Sequence, residues 1–232
     1  VIDVATIGAQ YTLIPDVNFE KSLIILGIDD IQDGKVLTNK IANVKNLDLS
    51  NYITDLKILD LTGIQDFSSL EVLKLPYNNN REITSIDLSK NLFLKIFDCK
   101  NNKLTSLDVS KNLFLSELYC QNNRITSIDL SKNIALTKLD CSTNRLTSID
   151  LSQNIALTKL DCSTNRLTIL DVSKNKALTH LSSNGSSKDD STNIQQGLLT
   201  SIDLSQNIAL EYLDFKYNEK VVGFDVSKNK NL

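Results

Sequence analysis

Methionine and tryptophan are absent from this 232-residue sequence, proline occurs twice, and histidine once, as His180. One histidine leaves little from which to build a zinc site or a histidine-centred acid–base machine. Charge of either sign is scarce as an excess: 25 Lys and Arg against 28 Asp and Glu give a net −3. All of that excess lies in residues 1–43, and the remaining 189 residues are neutral. Neither part offers the basic face that nucleic acid or anionic lipid requires. No apolar run approaches 18 residues, so no segment is suited to cross a membrane as a helix. What the chain does have is 41% hydrophobic and 23% charged residues, enough for a packed core and no mark of disorder.

The four cysteines, Cys99, Cys120, Cys141 and Cys162, are spaced by 21 residues each time. Segments 125–147 and 146–168 are identical at 21 of 23 positions, differing only at Ile125/Leu146 and Lys132/Gln153. A fixed period of this kind decides the fold before any local propensity does. Each unit carries L-x-x-L-x-(L/C)-x-x-N, as in Leu136, Leu139, Cys141 and Asn144, or Leu157, Leu160, Cys162 and Asn165. Alternation along an extended segment turns Leu139 and Cys141 to one side and Lys138, Asp140 and Ser142 to the other. Stacked as parallel strands, about eight such units bury their Leu/Cys rows in one core about 34 Å long. The second half of each unit, such as 146–154, is too short for a good helix. It reads as an extended or 3-10 outer wall, which could pair into a second narrow ladder. A second asparagine row, Asn91 through Asn229, suits ordered turns on that side too.

This pattern resembles the leucine-rich-repeat superfamily over about residues 44–232, in particular short-repeat secreted or surface bacterial proteins, with internalins as distant relatives. The resemblance implies an α/β, strand-dominated solenoid: a right-handed superhelix with a parallel concave β-sheet, an extended or 3-10 convex side and an N-terminal helical cap. The cap falls on residues 1–43. Its helix is expected over about 16–27, with Asp16 as N-cap, Gly27 as stop, and Phe19, Leu23 and Leu26 on one face. Residues 44–232 form eight units, the last incomplete, with an eleven-residue insertion that places a polar loop at about 184–198. The sequence begins at Val1 and stops at Leu232, where the period calls for another strand. The expectation is therefore a piece of a longer chain.

Candidate chemistry is thin. Four cysteines invite disulfide pairing, but they occupy a core position that is Leu75 or Phe215 elsewhere, and parallel in-register side chains suit the bridge dihedral poorly. Buried free thiols, a cysteine ladder, are expected, with no metal and no cofactor. Two aspartate rows, one on the strands and one on the outer half, could attract calcium. Accompanying lysines make surface charge pairing the expected explanation. A threonine row from Thr84 to Thr200 lacks the Thr-x-Thr face of ice-binding solenoids, and turn roles suit it better. His180 has no nucleophile beside it in the motif sense, so no catalytic residue is assigned and no enzyme is expected.

Binding is the remaining class. The outward strand positions include an apolar, aromatic set, Val72, Ile96 and Tyr119, next to Lys138, Asp140, Lys159, Asp161, His180 and Tyr212. That is the composition of an interface centre with a charged surround. The resemblance implies a protein or glycan partner held on the concave sheet of a secreted or cell-surface protein. The alternative is a spacer or stalk.

Overall fold

The computed structural model describes residues 9–50, 56–75, 83–185 and 199–232. The inserted loop lies almost wholly outside the described residues. The chain opens with β1 (Tyr11–Leu13), α1 (Val17–Ile25), β2 (Lys35–Leu37) and α2 (Thr38–Ile41). β1 and β2 pair antiparallel, Thr12 opposite Val36. Asp16 starts α1 by accepting from the backbone N–H of Asn18 and Phe19 through Oδ1. Gly27, at φ +69°, ends it: its N–H donates to Ile24 O and that of Ile28 to Leu23 O, the paired bonds of a Schellman turn.

Two contacts weld this start to the first coil. Phe19 stacks on Phe67 with centroids 6.4 Å apart. Asp16 uses its second oxygen to accept from Leu59 N and Asp60 N at 2.7 and 2.9 Å. Glu20 is buried although ionisable, because its Oε1 accepts from the backbone N–H of Asp33, Gly34 and Lys35.

Eight three-residue strands follow in strict chain order as one parallel sheet. They are β3 (Asn46–Asp48), β4 (Val72–Lys74), β5 (Ile96–Asp98), β6 (Glu117–Tyr119), β7 (Lys138–Asp140), β8 (Lys159–Asp161), β9 (His180–Ser182) and β10 (Tyr212–Asp214). Their central residues stack in register as Leu47, Leu73, Phe97, Leu118, Leu139, Leu160, Leu181 and Leu213. All but Leu213 are fully buried, so the core runs as a column beneath the sheet. The cysteines form a second buried column beside it, as four free thiols.

Turn polarity is satisfied by the asparagines. Asn144 donates through Nδ2 to Cys120 O and Cys141 O, and its Oδ1 accepts from Ile125 N at 3.0 Å. Asn102, Asn123 and Asn165 repeat the role. The residue just before each, Asn101, Asn122, Thr143 and Thr164, sits in the left-handed region at φ 51–57°. The convex side differs from the ladder that extended segments could form. Among the described residues no second ladder appears. One 3-10 turn occurs at Ile64–Asp66, and elsewhere short i→i+3 turns close the coil, such as Asn133 N to Leu130 O and Leu136 N to Asn133 O. The convex asparagines bridge these turns instead: Asn154 Nδ2 donates to Leu130 O and Asn133 O.

Candidate functional site

Because strand side chains alternate, the first and third residues of every strand face out on the concave surface. One row reads Asn46, Val72, Ile96, Glu117, Lys138, Lys159, His180 and Tyr212, and the other Asp48, Lys74, Asp98, Tyr119, Asp140, Asp161, Ser182 and Asp214. Over β6 to β10 these rows surround a depression of about 300 Å³. Seven residues expected at a binding surface line it: Tyr119, Lys138, Asp140, Lys159, Asp161, His180 and Tyr212. Leu139, Leu160 and Ser182 complete the lining. Val72 and Ile96 lie on β4 and β5, outside it, side by side in one row.

The depression is internally wired. Tyr119 Oη donates to Glu117 Oε2 at 2.7 Å, and Lys138 Nζ pairs with Glu117 Oε1 at 2.8 Å. Glu117 therefore fixes both residues and stands between Tyr119 and Ile96. Nothing in the sequence pattern singled it out, since it is one polar outward residue among many. The Lys138 bond holds the Glu117 carboxyl below the usual carboxylate range. Burial, then the Glu117 bond, pushes the Tyr119 phenol up. Lys159, by contrast, makes no ion pair among the described residues.

On the other row Asp140 and Asp161 are register neighbours. Each turns one oxygen inward, to Ser142 N and Oγ and to Ser163 N respectively. Burial raises the pKa of Asp140, and the carboxylates of Asp161 and Asp98 raise it further, against the serine bonds. At the far wall the His180 and Tyr212 rings stack at 5.8 Å and 27°. Thr179 Oγ1 donates to Thr158 O, so its 2.9 Å contact with His180 Nδ1 requires Nδ1–H as donor. The imidazole is thus set with Nε2 as its acceptor.

This chemistry binds rather than reacts: aromatic faces, two carboxylates and two ammoniums, with no nucleophile held by a base among the described residues. The thiols are buried, and burial pushes Cys162 up to about 12. Among the described residues no group of three or more His, Cys, Asp or Glu could hold a metal ion. The outer aspartates have a simpler occupation than charge pairing with lysine. Each accepts from the serine two residues on, Asp129 from Ser131 N and Asp150 from Ser152 N, both at 2.9 Å, and so closes its own turn. Those backbone bonds lower their pKa values.

The family model for leucine-rich repeats (2 copies) matches residues 114–155. No curated protein matches the chain significantly. Among solved structures, an internalin, inlF, from Listeria monocytogenes is 21% identical with a TM-score of 0.69, covering 97% of this chain and 64% of its own. The functional domain of InlJ from Listeria monocytogenes, which includes a cysteine ladder, is 28% identical with a TM-score of 0.40, covering 97% and 65%. Internalin C2 from the same species is 18% identical with a TM-score of 0.54, covering 89% and 98%. The chain thus spans less than two thirds of the first two structures. No helix among the described residues is long and apolar enough to cross a membrane.

Proposed function

We propose that this leucine-rich-repeat protein, distantly internalin-like, is a non-enzymatic recognition module that holds a protein or glycan partner on its concave sheet, as part of a secreted or cell-surface bacterial protein. Leucine-rich-repeat folds commonly mediate protein binding through such surfaces. In this reading residues 1–43 cap the array of residues 44–232. The observation that carries the proposal is the depression over β6 to β10, where Tyr119, the stacked His180–Tyr212 pair and charges of both signs converge. Tyr119 and Tyr212 supply rigid amphipathic area, and Lys159, Asp140 and Asp161 supply orientation. Val72 and Ile96 extend the contact beyond the depression as an apolar shoulder.

Lys159→Glu combined with Tyr212→Ala tests this against a partner recovered by pull-down or glycan array. Loss of binding by about 100-fold is expected for removal of a central aromatic and reversal of an unpaired charge. Undiminished binding, with the circular dichroism spectrum intact, would defeat it. The near identity of 125–147 and 146–168 favours a second reading, a spacer whose units only add length; a partner that binds elsewhere on the chain would support it.

A further inference from the structure

The convex asparagines mark the start of a feature unrelated to the concave face. The two residues after each one project outward at the turn that leads back to the sheet. In four consecutive units these include Leu92, Phe93, Leu113, Phe114, Ile134 and Ile155, each 49–64% exposed. Adjacent units touch along this line, since Asn112 Nδ2 donates to Asn91 O and Asn133 Nδ2 to Asn112 O. The Phe93 and Phe114 rings stack at 6.4 Å and 11°. The result is a continuous apolar ridge along one flank of the solenoid. At about 100 Å² exposed per large side chain, it amounts to about 600 Å². That is the upper end of what a monomer ordinarily exposes and approaches the ~800 Å² each partner contributes to a standard interface.

We propose that the occupant of this ridge is a second copy of the chain, related by a two-fold axis and running antiparallel. Only another array with the same strand step meets the ridge in phase over several units. The side chains are also self-complementary in size. The units read Leu92-Phe93, Leu113-Phe114, Ile134-Ala135 and Ile155-Ala156, two bulky then two small. With the axis between the second and third, each Leu-Phe pair of one copy meets an Ile-Ala pair of the other. The ends agree as well. The next unit on one side carries Lys176 at the ridge position, and the preceding unit on the other carries Ser68-Ser69. The same axis sets Lys176 against those serines, so polar meets polar where the apolar run stops. The concave depression plays no part, and a dimer of this kind leaves it open.

Sedimentation of the chain between about 1 and 100 μM tests the proposal, with a dimer expected in that range. Leu113→Glu with Phe114→Glu should weaken the dimer at least 100-fold, while Ile169→Glu, an exposed apolar site off the ridge, should leave it unchanged. Should the double variant lose its circular dichroism spectrum, cross-linking decides. Mixing Phe114→Cys chains with Ala135→Cys chains should give a disulfide-linked dimer under mild oxidation, and mixing Phe93→Cys with Phe114→Cys chains should not. A monomer at 100 μM, a dimer indifferent to the glutamates, or cross-linking only in the second mixture would overturn it.

Discussion

The two asparagine rows look alike in the sequence and differ in what each amide does, which makes their energies separable. Asn144 fills both ends of its amide: Nδ2 donates to Cys120 O and Cys141 O, and Oδ1 accepts from Ile125 N. Truncation to alanine leaves the Ile125 N–H buried without a partner, at about 1–3 kcal/mol. The two carbonyls fare better, because Asn123 still donates to Cys120 O and Asn165 to Cys141 O. Their lost second bonds add about 1 kcal/mol together, for a total of about 3 kcal/mol. Asn154 also donates twice, to Leu130 O and Asn133 O, yet its Oδ1 is buried with no partner. Both carbonyls keep a backbone donor, Asn133 N and Leu136 N. Asn154→Ala therefore removes two donated bonds and an unsatisfied acceptor at once, and these offset to a net cost of about 1 kcal/mol. Urea unfolding followed by circular dichroism should rank Asn144→Ala as about 2 kcal/mol more costly than Asn154→Ala. Equal costs, or the reverse order, would refute the assignment of the two roles.

Thr143 holds a left-handed backbone that Asn101 and Asn122 adopt at the same place in earlier units, and branching at Cβ makes that unfavourable. Thr143→Asn should stabilise by about 0.5–1 kcal/mol, read as a raised urea midpoint. Glu20→Ala strands three backbone N–H groups and should cost at least about 3 kcal/mol in the same assay, with Glu20→Gln recovering part of it. The thiols should resist a labelling reagent in the native protein at pH 8 and yield four equivalents in denaturant without reductant; none in denaturant would mean disulfides. Asp140 has a raised pKa in the folded state, so its contribution favours folding below the ordinary carboxylate range and is lost as pH rises through the raised value. Asp140→Asn should therefore be more stable than the parent at pH 7, an advantage that shrinks toward pH 3.

Periodicity made the sheet legible down to single residues, because one buried column forces every unit into the same register: placing Leu139 also places Lys138 and Asp140. The sequence was silent where a residue acts on its neighbours rather than on the period. Glu117 differs from Lys138 and Lys159 at its own position, and only geometry reveals that it ties down Tyr119 and Lys138. Glu20 looks like any first-turn acid on a helix, and its burial depends on a loop fifteen residues away. β1 and β2 are three residues each, too short for alternation to speak. The convex aspartates were harder for another reason: lysines follow them closely in sequence, while the bond that matters goes to the backbone of Ser131 and its equivalents.

Every asparagine stitch reaches backward. Asn144 joins its unit to the turn of the unit before it, Asn154 does the same on the far side, and Asn91 reaches Ile64 O and Phe67 O in the first coil. The array therefore has the logic of a directional polymer. An incoming unit brings the side chains for its own attachment and needs only main-chain carbonyls and N–H groups already present. The opening coil is the one member that must be made differently, having no predecessor to grip. Anywhere beyond it, gain or loss of a 21-residue segment hands the next asparagine the same backbone atoms, so the length of the concave surface can change in steps of one strand while its bonding stays the same.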